Sequence, residues 1–507
     1  MTQKTNSYDY LLIGGGTAGC VLAARLSEDP GVRVLLIEAG SGTSVPAMAE
    51  PSAWPSLSVP PTSWGESTVV QERTGTAFPF PRGKALGGSS AINGMLFARG
   101  HRSSYDSWVE AGAKGWGFDD LLPYFKRSET AIGRHSEFRG ADGPVKVGPS
   151  KPGHPITQAG LLAAAQYGLK PASDISSGLE EGFGWTDLNV FEGARQSAAD
   201  AYLTPEVRGR NNLDIVTDAV VDRLMIQNGR CTGVVYRQGG APVSQSAGEV
   251  ILTAGAIGSA HLLLLSGIGP RDHLTDVGVE VVHDLPGVGS NLHDHPLLTV
   301  LYSARRPIEP VLIRIEVFAL HRSDPSAPEP DLQLFFLDVP LGGFDLTPPN
   351  PGYAIGVSLM RPSSRGSVRL ASARPDVAPL IDPNFLGDDS DLQRLVTGLR
   401  IARDLGETTA YDDWRVAEVH PGPDVTDDEG LAAYAARNMR SYHHPVGTCR
   451  IGTDELAVVD TDLRVRGIDG LRVADASVMP SIPSANTNAS VYAIAERAAD
   501  LIRSGRV

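Results

Sequence analysis

Hydrophobic positions change their period several times along this chain, and each change marks an element. Residues 10–13 (Tyr-Leu-Leu-Ile) form a short unbroken apolar run, the pattern of a buried strand. Apolar residues at helical spacing follow over 20–26, and a second unbroken run, Val-Leu-Leu-Ile, occupies 34–37. Further β-like runs lie at 213–217, 220–224 and 234–237. From about residue 298 to 420 the texture differs. Residues 331–336 and 354–360 are strand-like, and the second run leads through a Pro-Ser-Ser-Arg-Gly turn at 362–366 into another at 367–370. Such spacing predicts a hairpin-rich antiparallel sheet. Residues 490–503 predict an amphipathic helix, with Val491, Ile494, Ala495, Ala498 and Ile502 along one side. Residues 41–63 are rich in Pro, Ser and Ala and have no period; they predict an irregular surface excursion, a candidate cover for a neighbouring site.

Composition narrows the partners more than the fold. At 507 residues the chain has room for two or three domain-sized units, and 41% apolar with 20% charged residues is an ordinary globular balance. The net charge of -15 argues against nucleic acid or an anionic membrane as a partner. Three widely spaced cysteines (Cys20, Cys231, Cys449) suit neither a disulfide framework nor a cysteine zinc site. Residues 1–7 lack the pattern of a secretory leader, and no apolar run approaches the roughly 20 residues that span a bilayer, so a cytoplasmic location is expected.

Between the first two apolar runs lies Gly14-Gly15-Gly16-Thr17-Ala18-Gly19, and Glu38 closes the second run. Strand, glycine turn, helix and a second strand ending in an acid form a dinucleotide fingerprint. Gly14 permits the tight turn, Gly16 lets the backbone approach a pyrophosphate, and Gly19 lets the helix pack close to the strand. The helix N-terminus offers free N–H groups to the phosphates. Glu38 suits ribose hydroxyls and disfavours a 2′-phosphate, which counts against NADP. An empty structural turn is the plain alternative, and the motif alone does not separate FAD from NAD.

Residues 83–93 (Gly-Lys-Ala-Leu-Gly-Gly-Ser-Ser-Ala-Ile-Asn), continuing through Phe97, Gly100 and Asp106, resemble the first signature of the glucose–methanol–choline (GMC) oxidoreductase family. Residues 255–259 with 266–269 resemble the second, departing from it at Ala260; residues 287–296 and 444–449, with Asp475 and Asn486 beyond, resemble further family segments. The stretch 83–94 holds four glycines and two serines, so it cannot pack a core but can lay backbone N–H groups along a cofactor. The resemblance implies FAD and an α/β (α+β overall) architecture: a Rossmann-like FAD-binding domain with a parallel sheet, and a substrate domain on an antiparallel sheet flanked by helices. It implies that 1–145, 196–297 and 437–507 build the first, and 146–195 and 298–436 the second. Cofactor contacts are implied for Gly14, Gly16, Thr17, Ala18, Gly19, Glu38, Ala39, Trp64, Arg82, Gly83, Leu86, Gly87 and Ser90. They are also implied for Asn93, Gly94, Met95, Leu96, Val221 (against the adenine), Ala254, Gly255, Asp475, Ala476 and Thr487. Some members bond FAD covalently through a histidine; the matching position here is Ile92, so non-covalent FAD is expected.

Oxidising an alcohol needs an acceptor for the hydroxyl proton, and histidine suits this because much of it is neutral at working pH. By the resemblance His444 is the general base. Asn486 stands where the family has a second histidine or an asparagine, and it holds the oxygen, since an amide is no base. His443 is a pocket-edge residue, or the base if the register shifts by one. Phe335 and Phe336 are substrate-pocket candidates, with directions unreadable from sequence. His293 and His295 lack a third ligand, so no metal is expected, and they read as tying a turn with Asp294. The expected activity is oxidation of a small primary alcohol, aryl or furanic, to the aldehyde, with hydride passing to flavin N5 and reoxidation by dioxygen or another acceptor. A choline-type or aliphatic alcohol dehydrogenase is the alternative within the family; an FAD-containing hydroxynitrile lyase is the alternative outside redox chemistry. The chain is expected to be a monomer or homodimer.

Overall fold

The computed structural model describes residues 8–134, 137–149, 153–309, 313–343 and 346–505. Residues 1–7, read above for a secretory leader, lie outside them. Two seven-stranded sheets organise these residues. In the first, β1 (Tyr8–Ile13) pairs in parallel with β2 (Val34–Ile37), and β2 in turn with Leu213–Val216. Every residue of β2 is buried, which is why its sequence is apolar without alternation. On its other side β1 pairs in parallel with the end of Ala241–Leu252, which then pairs with Leu471–Val473. The beginning of that same long strand runs antiparallel to Arg230–Gln238, so one strand joins the parallel sheet to a meander.

Helix α1 (Thr17–Leu26) starts directly from the glycine turn. A Cβ on Gly19 would lie 1.9 Å from the Gly14 carbonyl oxygen, so only glycine lets the helix sit this close. The C-terminal helix spans Asn488–Ser504, starting two residues before the expected 490. It is fastened through Glu496, fully buried, which accepts from Arg25, Arg127 and the Tyr202 hydroxyl at 2.7–3.1 Å. Three donors from three segments offset the cost of burying that carboxylate. Among the described residues no helix is long and apolar enough to cross a membrane.

In the second sheet every pair is antiparallel, and its strands run in the order Arg415–His420, Pro296–Ala304, Gly352–Leu359, Leu332–Leu337, Val317–His321, Gly182–Trp185. Arg440–Ser441 also pairs with Pro296–Ala304, bringing the chain end carrying His444 to this sheet. Alternation sends the two faces to different places. Val300, Leu334, Phe336 and Ile355 pack with residues of the helices Pro155–Tyr167 and Asp389–Gly406. Leu297, Leu301, Phe318, Phe335 and Ala354 pack with Met95, Leu96 and Ala485 of the first domain.

Phe335 and Phe336 therefore point to opposite faces, and the expectation that both line the pocket is corrected. Phe336 fills the space over Gly160, where a Cβ would come within 2.5 Å of its ring. Phe335 stays on the inner face. It is backed by Gly356, where a Cβ would lie 2.0 Å from the same ring. Gly356→Ala is expected to overpack this spot, lowering stability by about 1–3 kcal/mol and pushing Phe335 inward, seen as a lower Tm together with a raised KM.

Candidate active site

The glycine turn and the 83–94 loop meet backbone to backbone. A Cβ on Gly88 would sit 2.7 Å from Gly16 Cα, and one on Gly83 would sit 2.1 Å from the Gly88 carbonyl oxygen. Gly88 itself has φ +53, and Gly87 donates its N–H to the Gly15 carbonyl at 2.8 Å. A Cβ on Gly16 would meet Gly88 Cα and the Thr253 carbonyl oxygen at 3.9 Å, ordinary contact without a clash. Leu86 packs against Gly15, and Ser90 Oγ accepts from the Ala198 amide at 2.9 Å. At the end of β2, Glu38 accepts from the amides of Gly15 and Gly40, 2.7 Å each, and burial pushes its pKa up to about 7 against the pull of those amides. Thr17 reaches Asn488 at the start of the C-terminal helix (3.0 Å), and Thr487 is the residue capping it.

Other expected contacts sit around this floor in different ways. Arg82 pairs with Glu66 and stacks, with Lys84, over the half-exposed Trp64. Asp475 gives its oxygens to the Gly255 amide (2.9 Å), Ser259 (2.6 Å) and the Ser477 amide (2.8 Å), so its carboxylate shapes the loops carrying Ala254 and Ala476. Val221 is half-buried at a bulge in Ala219–Gln227. Met95 is fully buried with φ +60, and Asn93 accepts from its amide. The excursion at 41–63 is less irregular than its composition implies: it contains a short helix, Pro46–Ala49, and a 3-10 segment, Pro51–Leu57. Trp54 from it lies 3.9 Å from where a Gly94 Cβ would be, and its indole N–H donates to the Ile313 carbonyl at 3.1 Å.

At the far end of this floor stand His444 and Asn486. Their side chains meet, Asn486 Nδ2 to His444 Nε2, at 3.2 Å. The other imidazole nitrogen of His444 lies 2.9 Å from His295 Nδ1, and His295 Nε2 lies 3.1 Å from the Met360 carbonyl. Asp294 clamps the group: one oxygen accepts from the amides of His295 (2.9 Å) and His444 (2.7 Å), the other from Ser441. Burial above all holds the His444 pKa well below the ordinary 6.5, so its imidazole is neutral at pH 7.

His443 and His444 are not on a strand, which ends at Ser441; a left-handed turn at His443 (φ +65) separates them. His443 bonds to Ser441 and is exposed, while His444 enters the cluster with Asn486. Three contributors escaped the sequence reading. His295 was assigned only to a turn, because its partner Met360 lies 65 residues away. Tyr442, with its ring 4.4 Å from that of His444 and stacked on Phe335 at 5.7 Å, was signalled only by an aromatic residue directly before the histidine pair. Arg195, buried and bonded to Ser90 and Asn93, carried no motif of its own.

The N- and C-terminal profiles of the GMC oxidoreductases match residues 8–297 and 362–495. The chain belongs to the GMC oxidoreductase family. Human mitochondrial choline dehydrogenase is 37% identical over 99% of this chain and 91% of that protein. Oxygen-dependent choline dehydrogenase of Rhizobium rhizogenes is 36% identical over 97% and 95%. Among solved structures, pyridoxine 4-oxidase from Mesorbium loti is similar with a TM-score of 0.96 and 36% identity, covering 98% of this chain and 99% of that one.

As a GMC oxidoreductase the chain is an FAD-dependent enzyme acting on CH–OH groups. Its residues fit the cofactor. The side-chain-free turn where Gly88 meets Gly16 suits a pyrophosphate, and three buried polar atoms, Arg195 Nη2, Asn488 Nδ2 and Asn486 Oδ1, lack a hydrogen-bond partner among the described residues. Ile92, buried among Met48, Leu57 and Ala85, offers no nucleophile for a covalent flavin. Acid precipitation is therefore expected to leave the yellow colour in the supernatant; colour retained in the pellet would mean a covalent link. Gly88→Val is expected to lower the flavin-to-protein absorbance ratio, because its side chain would strike the Gly16 backbone.

Proposed function

We propose that this GMC oxidoreductase oxidises a primary alcohol borne by an aromatic or heteroaromatic ring to the aldehyde. The observation carrying this is the aromatic wall beside the reacting pair: Phe335 stacks on Tyr442, and Tyr442 lies against His444. A flat ring fits against such a wall, with its hydroxymethyl group directed between His444 and Asn486. The likeness to pyridoxine 4-oxidase supports it, since pyridoxine is a hydroxymethyl-bearing pyridine.

In this reading the alcohol hydroxyl lies between the two side chains, its proton passing to His444 Nε2 and its oxygen held by the Asn486 amide N–H. Bound FAD supplies the acceptor for the hydride leaving the carbinol carbon. The flat wall and the Asp294 clamp restrict the alcohol to one orientation, so the C–H bond and the O–H bond are presented together.

A choline-type substrate is the second reading, favoured by the 36–37% identity to choline dehydrogenases. A quaternary cation wants a carboxylate beside the aromatic wall. The buried Glu316 instead reaches Thr157 of the helix on the outer face of the sheet, at 3.5 Å.

A panel of benzylic, furanic and pyridine methanols against choline, assayed by oxygen uptake and by dye reduction, tests the choice. Higher kcat/KM for the ring alcohols is expected, and preference for choline would overturn the reading. His444→Ala should keep its flavin and lose roughly 10²–10⁴ in turnover. Because the base must be neutral and its pKa is held down, kcat/KM should stay level from pH 7 to 6.5 and fall only at lower pH; an acid limb above 6.5 would contradict the assignment.

A further inference from the structure

We infer that His295 is a positioning residue, which fixes the tautomer of His444 and stabilises the charge that forms on it. The inference rests on the reading of His444 as the base. It starts at the Met360 carbonyl, which can only accept. His295 Nε2, 3.1 Å away, must therefore carry the hydrogen. A neutral imidazole has one N–H, so His295 Nδ1 is a bare acceptor. His444 Nδ1, 2.9 Å from it, must then carry a hydrogen and donate. This leaves the lone pair of His444 on Nε2, the nitrogen turned toward Asn486. A main-chain carbonyl two rings away thus decides which nitrogen of the base faces the alcohol.

The alternative tautomers set two hydrogens or two lone pairs against each other at 2.9 Å. His295 is fully buried, so water cannot relieve that conflict. Nor can the rings move apart freely. Their main-chain amides end on the same oxygen of Asp294, and the ring planes stand at 86° with centroids 5.1 Å apart. The ionisable groups around the pair are Asp294, His293, His443, Tyr442 and Arg361, the last engaged by Glu329 at 3.0 Å.

When the alcohol O–H bond breaks, its proton forms an N–H bond at His444 Nε2, and the imidazolium keeps donating from Nδ1 to His295. A hydrogen bond from a charged donor is stronger than from a neutral one, so this contact tightens as the charge forms. The net proton stays on the histidine pair, because the Met360 carbonyl only accepts the hydrogen bond from His295 Nε2 and takes up no proton.

Two substitutions test this in the flavin-loaded enzyme. His295→Leu removes the acceptor, whereas His295→Asn keeps an oxygen near the position of Nδ1. In His295→Leu, kcat/KM should fall by roughly 10²-fold. Its acid limb should also move to lower pH: His295, itself held down to about 3 by burial, is neutral through this range and meets the His444 cation only as an acceptor, which the variant lacks. His295→Asn should recover much of the rate and return the limb toward its original position. A flavin-containing His295→Leu enzyme with unchanged rate and pH profile would overturn the inference. So would a folded His295→Asn enzyme as impaired as His295→Leu. His444→Ala separates the two claims: if it too keeps full turnover, the reading of the base is what fails.

Discussion

The reacting centre depends on one buried carboxylate. Asp294 joins segments about 150 residues apart by accepting from the amides of His295 and His444 and from the Ser441 hydroxyl. Burial pushes its pKa up to about 7, and these donors pull in the other direction. The same two segments continue as an antiparallel ladder, Tyr442 donating to the His295 carbonyl (2.9 Å) and His293 exchanging bonds with Val446 (3.1 Å each). The left-handed turn at His443 interrupts the ladder where the imidazole of His444 must leave it. The position of the His444 imidazole is thus a property of main-chain pairing.

The cofactor floor is built on the opposite principle. There the sequence removes side chains so that backbones touch, as Gly16, Gly88 and Gly83 do. The two halves are joined at the C-terminal helix, where Thr17 of the glycine turn bonds Asn488, two positions from Asn486. The glycine turn and Asn486 are therefore tied through a single helix start, itself anchored by Glu496 to Arg25 and Arg127.

What could be read from the sequence follows from how local its cause is. The turn from β1 into α1 and on to β2 is local, so period and glycine spacing were enough. The antiparallel nature of the second sheet was also legible, but its phase was not. Phe335 and Phe336 look alike in sequence, and only Gly160 behind one and Gly356 behind the other show which way each points. His295 was legible as a residue with something to hold, but its function depends on a carbonyl 65 residues away that no spacing rule connects. Tyr442 was hidden for a different reason: the motif around His444 drew the reading one residue past it.

The central claim is that His444 and Asn486 hold an alcohol for oxidation by bound FAD. Anaerobic mixing of the enzyme with a ring-bearing primary alcohol, followed in a stopped-flow spectrophotometer, tests it most directly. The account predicts that the visible absorption of the oxidised flavin is lost in a single turnover, and that deuterium on the carbinol carbon slows this loss several-fold. A flavin that stays oxidised while the alcohol is consumed, or one reduced at a rate indifferent to that deuterium, would contradict it.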